Sequence, residues 1–327
     1  MDERFRIVGA AGEQSIQDYS DTPRWKDVLY RFTRNKGSLL GSIAIAVIVL
    51  FALLGPLASP YTYDGVNTKW QNLPPRIPVV ESLGVFDGTR NGVDIYEQKD
   101  CKDAYHFFGT DSLGRDLWTR VCYGTRISLY IALLAVLIDM AIGITFGMVC
   151  GYFGGAVDMI LQRLVEIING IPQLVVVTLL LVILKPGLLS ITLALMITSW
   201  ISMSRVVRAQ VLQLKEREYI LASKTLGTPT PALLFREILP NTMGQVIIIA
   251  MMSVPSAIFM ESFLSFVGLG IPEPMASLGS LISTGFENML TYPSQIAIPV
   301  VIFSVLMVSF NLVADGLRDA LDPKMWQ

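Results

Sequence analysis

Apolar residues along the chain fall into six long runs, at 38–59, 128–151, 157–184, 188–207, 243–267 and 295–316. About 20 helical residues cross the ~30 Å hydrocarbon core of a bilayer, so each run predicts a membrane-spanning helix. The third run, 28 residues long, exceeds that need and predicts a span that is tilted or extends past the bilayer. The first run is too long for a secretory signal, and no A-x-A-like cleavage site follows it. It reads as a retained anchor. The pattern gives an all-α polytopic membrane protein with a polar N-terminal segment (1–37), an anchor (38–59), a polar loop (60–127), a core of five spans (128–316) and a polar tail (317–327).

Charge sets the expected orientation. The segments placed inside by a cytoplasmic N-terminus hold seven Lys and Arg (1–36), six (204–241) and two (317–327). The short outside segments, 185–187 and 268–294, hold only Lys185. Loop 60–127 carries eight, but it exceeds the ~60 residues over which the positive-inside rule applies. Both ends are therefore expected in the cytoplasm. Composition agrees with a membrane setting: of 327 residues 52% are hydrophobic and 16% charged, against ~25% charged in soluble domains. A net charge of −2 gives no case for nucleic acid. Cys101, Cys122 and Cys150 form no CxxC, and His106 is the only histidine, so metal binding is not expected. Cys101 and Cys122 both lie in loop 60–127, where an oxidising compartment would let them pair. Residues 60–108, punctuated by Pro60, Pro74, Pro75 and Pro78, read either as a small cap or as a docking surface.

Ionisable residues inside a bilayer need a partner, a cavity or a role. Asp139, Gly143, Gly147 and Gly151 recur every four residues and share one helix face, with small residues suited to close helix packing. Asp158, Gln162 and Glu166 share another face, adjoined by Arg163 and Asn169. Counting ~1.5 Å per residue from the cytoplasmic side, Arg163 lies ~9 Å deep and Asp139 and Asn169 ~18 Å. Arg163 therefore suits Glu166 three residues on, or snorkelling, better than it suits Asp139. Polar packing near the helix ends is one reading. The other has Glu166 and Asn169, just before Gly170-Ile171-Pro172, lining a pathway. Glu261, beyond Pro255 in the fifth span, is expected to face a cavity, and Met251, Met252 and Met260 suit either packing or a tolerant lining.

Between the fourth and fifth spans, residues 210–244 contain Arg217-Glu218-Tyr219-Ile220-Leu221-Ala222-Ser223-Lys224-Thr225-Leu226-Gly227, then Thr-Pro-Thr-Pro, then Ala232-Leu233-Leu234-Phe235-Arg236-Glu237-Ile238-Leu239-Pro240-Asn241. The residues predict a short helix, a break at 227–231 and a second short helix stopped by Pro240. Its apolar face is too short to span, so it needs a partner surface or lies on the membrane. This loop resembles the coupling motif of ABC importer permeases. Ala222 and Ser223 fill the small-residue slots, Gly227 the glycine and Leu239-Pro240 the end. Leu221 stands where the motif has Glu, and Glu237 where it has Ile, with Ile238 one residue late. Three more stretches resemble oligopeptide/dipeptide-type permeases of the C type: His106–Asp116 continuing through Tyr123–Leu129, Ser262–Gly270 and Asn311–Pro323.

The resemblance implies a type I ABC importer permease fold in a prokaryotic plasma membrane. It further implies a second permease completing the pathway, two cytoplasmic ATPases and an extracytoplasmic peptide-binding protein. Leu221, Ala222, Ser223, Leu226, Gly227, Leu239 and Pro240 would form the ATPase-coupling segment, while Asp139, Glu166, Asn169 and Glu261 are the candidate pathway residues. The sequence has no GxxxxGK[ST], so no phosphate cradle is expected on this chain. ATP with Mg²⁺ would sit on the partner subunits, and this chain is expected to carry no cofactor and no enzyme activity of its own. Relatives of this type also move nickel or glutathione, which leaves the cargo open. A secondary transporter would need inverted repeats with matched broken helices, and a membrane enzyme would need a convergent nucleophile and base.

Overall fold

A computed structural model describes residues 24–78 and 80–321. α1 (Arg24–Arg34) and α2 (Lys36–Leu54) are separated by Asn35, whose side chain accepts from the Gly37 and Ser38 amides and so caps α2. Residues 55–116 form a small cap of tight turns. It contains the antiparallel hairpin β1 (Thr89–Arg90) and β2 (Val93–Asp94), followed by α3 (Ile95–Gln98). Leu73, Tyr96, Cys101 and Ala104 make its apolar centre, with Trp70 and Ile95 against them.

The bundle follows as α4 (Leu117–Phe153), α5 (Gly155–Gly170), α6 (Gln173–Leu184), α7 (Leu188–Leu214), α8 (Glu218–Thr225), α9 (Thr230–Ala232), α10 (Leu239–Phe266), α11 (Leu278–Glu287) and α12 (Pro293–Leu321). Among the described residues, five helices are long and apolar enough to cross a membrane, and six spans result if α5 and α6 count as one. The third apolar run is thus not simply tilted. It breaks, with α5 and α6 meeting at 78°. Pro172 has no N–H to continue α5 and pushes the preceding residue out of the helical region, and Ile171 is indeed extended at φ −92°, ψ 128°.

α4 also departs from the apolar pattern. It begins at Leu117, capped by Asp116 through the Thr119 amide, and at 37 residues is ~55 Å long. Its first turns therefore belong to the cap. α4 packs along α7 through its glycine stripe. A β-carbon on Gly143 would lie 2.6 Å from Met203 Cβ, one on Gly147 2.6 Å from the Ser204 carbonyl, and one on Gly151 2.7 Å from Val211 Cβ. Only glycine allows backbones that close. α2 lies on α12 in the same way, with Gly41 against the Ser309 carbonyl and Gly316 against Ser38. Asp322 and Pro323 of the C-terminal motif lie outside the described residues.

Pro240 does not stop the second half of the coupling segment. Residues 230–266 run as one rod, with a π segment at Leu233–Ile238. Within it the Leu239 N–H reaches back five residues to the Leu234 carbonyl. The wider turn accommodates Pro240, which cannot donate the bond an α-helix would require. Nearby, Asn241 Nδ2 donates to the Glu237 carbonyl at 2.6 Å. Cys101 and Cys122 are both buried and are not paired with each other.

Candidate functional site

Two regions collect the candidate residues, one at the tip of the bundle and one in its middle. At the tip, α8 has one buried side chain as its apolar anchor. Ile220 is 1% exposed and sits in the core with Val207, Val211, Leu233 and Ile238. The other face of the segment is turned out: Leu226 is 86% exposed, and Tyr219, Leu221 and Phe235 are also open. Ala222 and Pro240 are exposed beside them, and Leu239 is half-buried.

The break after α8 has a local cause. Gly227 adopts φ +86°, where a side chain would be strained. Its N–H donates to the Lys224 carbonyl at 3.1 Å, and that of Thr228 to the Ser223 carbonyl at 3.2 Å, closing the helix end. Ser223 Oγ lies 2.9 Å from Thr228 Oγ1 and donates to Glu237 across the break. Glu237, one of the two departures from the coupling motif, thus ties the second half of the segment to the small-residue slot of the first. Ile238 takes the buried position one residue later.

In the middle, α4, α7, α10 and the α5–α6 break line an open-sided cavity of about 480 Å³. Asp139 lies on its wall with Asn169, Ile171, Pro172 and Gln173, and its carboxylate accepts from Ser199. Thr198, Ser199, Ser202, Ser253 and Ser256 add hydroxyls, and Met252 and Met260 add flexible apolar surface. Asp139 and Asn169 are therefore brought together on one cavity wall. Glu166 is not on this wall; it pairs with Arg163 at 2.6 Å on an open face of α5.

Glu261 is also placed differently from the expectation. It is fully enclosed and faces serines instead of the cavity, accepting from Ser128 and Ser265 at 2.9 Å each and from Ser262 at 3.5 Å. Two of the sequence motifs find their reason here. Ser128 comes from one, Ser262 and Ser265 from the other, and together they solvate one buried carboxylate.

The His106–Asp116 motif is a structural lock for the cap. Asp111 Oδ1 accepts from the Leu113 and Arg115 amides at 2.9 Å each, and its Oδ2 accepts from Arg115 Nε at 2.6 Å. His106 Nδ1 lies 2.7 Å from Asp116 Oδ1. Arg115 then reaches Glu273 at 2.7 Å, joining the cap to the segment between α10 and α11. Sequence reading missed this link, the cavity hydroxyls and the Arg208–Asp158 pair, which ties α7 to α5 through bonds of 2.6 and 2.5 Å. Asp158 stood out on its helix face, but its partner lies 50 residues on and no local spacing marks it.

Comparison with known proteins places this architecture. Residues 143–327 match the model of a binding-protein-dependent transport system inner membrane component. Residues 23–75 match the N-terminal TM domain of oligopeptide transport permease C. The chain is 42% identical over 301 residues to the oligopeptide transport system permease protein OppC of Bacillus subtilis (strain 168), covering 92% of this chain and 90% of that one. It is likewise 42% identical over 301 residues to the dipeptide transport system permease protein DppC of the same strain, covering 92% and 86%. Escherichia coli (strain K12) OppC is 39% identical over 300 residues, covering 92% and 91%. Among solved structures, a chain of the inward-facing methionine ABC transporter MetNI aligns with a TM-score of 0.51 at 16% identity, covering 62% of this chain and 96% of that chain. That likeness concerns the fold alone. Spans, broken helix and motifs now agree with one assignment and set aside the secondary-transporter reading: this chain belongs to the family of binding-protein-dependent transport system inner membrane components.

Proposed function

We propose that this chain is a permease subunit of an ATP-driven importer of short peptides, forming half of the pathway beside a second permease. The observation that carries the reading is the coupling segment, where buried Ile220 fixes α8 while Leu221, half exposed, and Leu226, 86% exposed, face outward. Two cytoplasmic ATPases holding ATP with Mg²⁺ would grip that face, so that their closure moves α8 as a lever on the rod that follows it. Ala222 and Ser223 let the groove approach closely, Gly227 sets the turn, and Leu239-Pro240 joins the lever to the rod. The cargo class comes from relatives named for oligopeptide and dipeptide transport. In this arrangement both termini and loop 210–244 are cytoplasmic, and loop 60–127, which holds most of the cap, faces the binding protein that delivers the cargo. The cavity beside Asp139 and Asn169 would be this subunit's share of the path.

The test is to purify the tagged chain from its own membrane in mild detergent and identify what accompanies it by mass spectrometry. The reading expects a second permease, P-loop ATPases and a binding protein carrying peptide. A chain that runs alone as a stable, substrate-binding oligomer overturns it. Bound nickel or glutathione in place of peptide keeps the importer and replaces the cargo.

A further inference from the structure

Among the described residues, the acids of α5, α10 and α12 each have a cation, several donors or open solvent beside them. Asp158 pairs with Arg208, Glu166 with Arg163 and Asp315 with Arg318. Asp319, near the end of α12, accepts from Asn35, and Glu261 is sealed among serines. Asp139, in α4, differs. It is 3% exposed, its one bond comes from the Ser199 hydroxyl, and no cation of the described chain reaches it, yet it lies on the cavity wall. An ionisable side chain inside a span that faces a cavity, with no cation of its own chain beside it, marks a place where a cation from outside the chain can bind.

We propose that Asp139 holds the α-ammonium group of the cargo during passage, making a free N-terminus a feature this subunit selects for. The inference rests on the peptide-importer reading. A peptide's amino group has an ordinary pKa of ~7.7–8.0 and is mostly charged at neutral pH, and it is shared by cargo of any sequence. The rest of the wall fits the same division. The hydroxyls and the Asn169 and Gln173 amides suit a peptide backbone, and Thr198 Oγ1 has no partner among the described residues. Met252 and Met260 give a surface that adapts to varied side chains. Recognition therefore falls on what all peptides have in common, and tolerance on what differs.

The experiment uses the assembled transporter in proteoliposomes, with Ser202→Cys as a reporter on the same cavity wall. Cationic and anionic methanethiosulfonate reagents are compared at that cysteine, and uptake of a tripeptide with a free amine is measured alongside ATP hydrolysis. With each rate normalised to that reagent's rate at a small free thiol in solution, the cationic reagent should react faster, and Asp139→Asn should abolish that normalised preference. A hydrogen bond to a charged group implies that Asp139→Asn slows uptake about ten- to a hundredfold, with binding-protein-stimulated ATP hydrolysis retained and Asp139→Glu keeping part of the uptake. Equal labelling by the two reagents with Asp139 intact overturns the proposal, and needs no variant of Asp139 to fold. Normal uptake by Asp139→Asn overturns it too, as does a loss of uptake together with complex assembly, which would mean packing alone. If the unaltered transporter takes up no tripeptide, the peptide reading itself has failed, a result separate from all of these.

Discussion

Two carboxylates in the long helices show how surroundings decide a residue's work. Glu261 and Asp139 are equally hidden from bulk solvent, but Glu261 has donors on several sides and Asp139 has one hydroxyl and a cavity. Glu261 holds α10 to α4 through Ser128, which also accepts from the Leu278 N–H at 3.1 Å and so includes α11. Replacing Glu261 by Ala would leave three serine hydroxyls facing a void. Each unmade buried bond costs about 1–3 kcal/mol, so Glu261→Ala should lower the thermal midpoint of the detergent-solubilised complex by several degrees. Glu261→Gln keeps two polar atoms in place and should lie between the two. Measuring all three proteins at one scan rate settles the matter, and an unchanged midpoint for Glu261→Ala would show that the serines find other partners.

At the level of elements, the α4–α7 seam depends on residues that have no side chain to contribute. Gly147 sits 2.6 Å, by its missing β-carbon, from the Ser204 carbonyl and 2.7 Å from Val207 Cβ. Gly147→Val forces backbone apart from backbone, and overpacking of this kind typically costs about 1–3 kcal/mol. The expected result is reduced assembly with the partner subunits, visible as a smaller yield of intact complex, whereas Gly170→Ala meets nothing within 4 Å and should assemble normally. The seam was legible in the sequence because a four-residue repeat of glycine fixes a helix face. The α5–α6 break was only half legible. Gly170-Ile171-Pro172 marked its place, but apolar residues continue across it, and hydropathy carries no signal for a 78° bend. The rod beyond α8 departs from the sequence expectation because proline usually ends a helix, and here a π turn absorbs it. Sequence puts Glu261 near the cavity only by its position in the span, which gives depth and not direction. The serines around it come from positions 128, 262 and 265, and sequence does not show that α4 brings the first of them near.

Across the whole molecule, the end carrying the cap is joined to the bundle by charge, and that join should depend on pH. Arg115 is buried, is held on one side by Asp111 at 2.6 Å, and reaches Glu273 at 2.7 Å on the other, while Arg120 Nη2 lies 3.8 Å from the same carboxylate. The bond from Arg115 holds the Glu273 carboxyl below its usual value of 4.5, an effect larger than the opposing effect of its partial burial. A carboxyl with a lowered pKa takes up its proton less readily folded than unfolded, so the link stabilises fully above about pH 4.5 and weakens as pH falls below it. Glu273 itself is more than half exposed, so solvent screening keeps the contribution to the surface range. The expected consequence is local: acidification should loosen the segment between α10 and α11 and leave the bundle packed. Hydrogen exchange of residues 268–277, corrected for the intrinsic pH dependence of the amides, should rise from pH 6 to pH 3.5. In Glu273→Gln it should be fast at both values, because the amide carries no charge to lose. If the two proteins exchange alike across the range, the Arg115–Glu273 pair does not hold this segment. The Gln295 amide, which donates to Asn72 Oδ1 and the Thr110 carbonyl at 2.9 Å each, would then be what fixes the cap to the bundle, independently of pH.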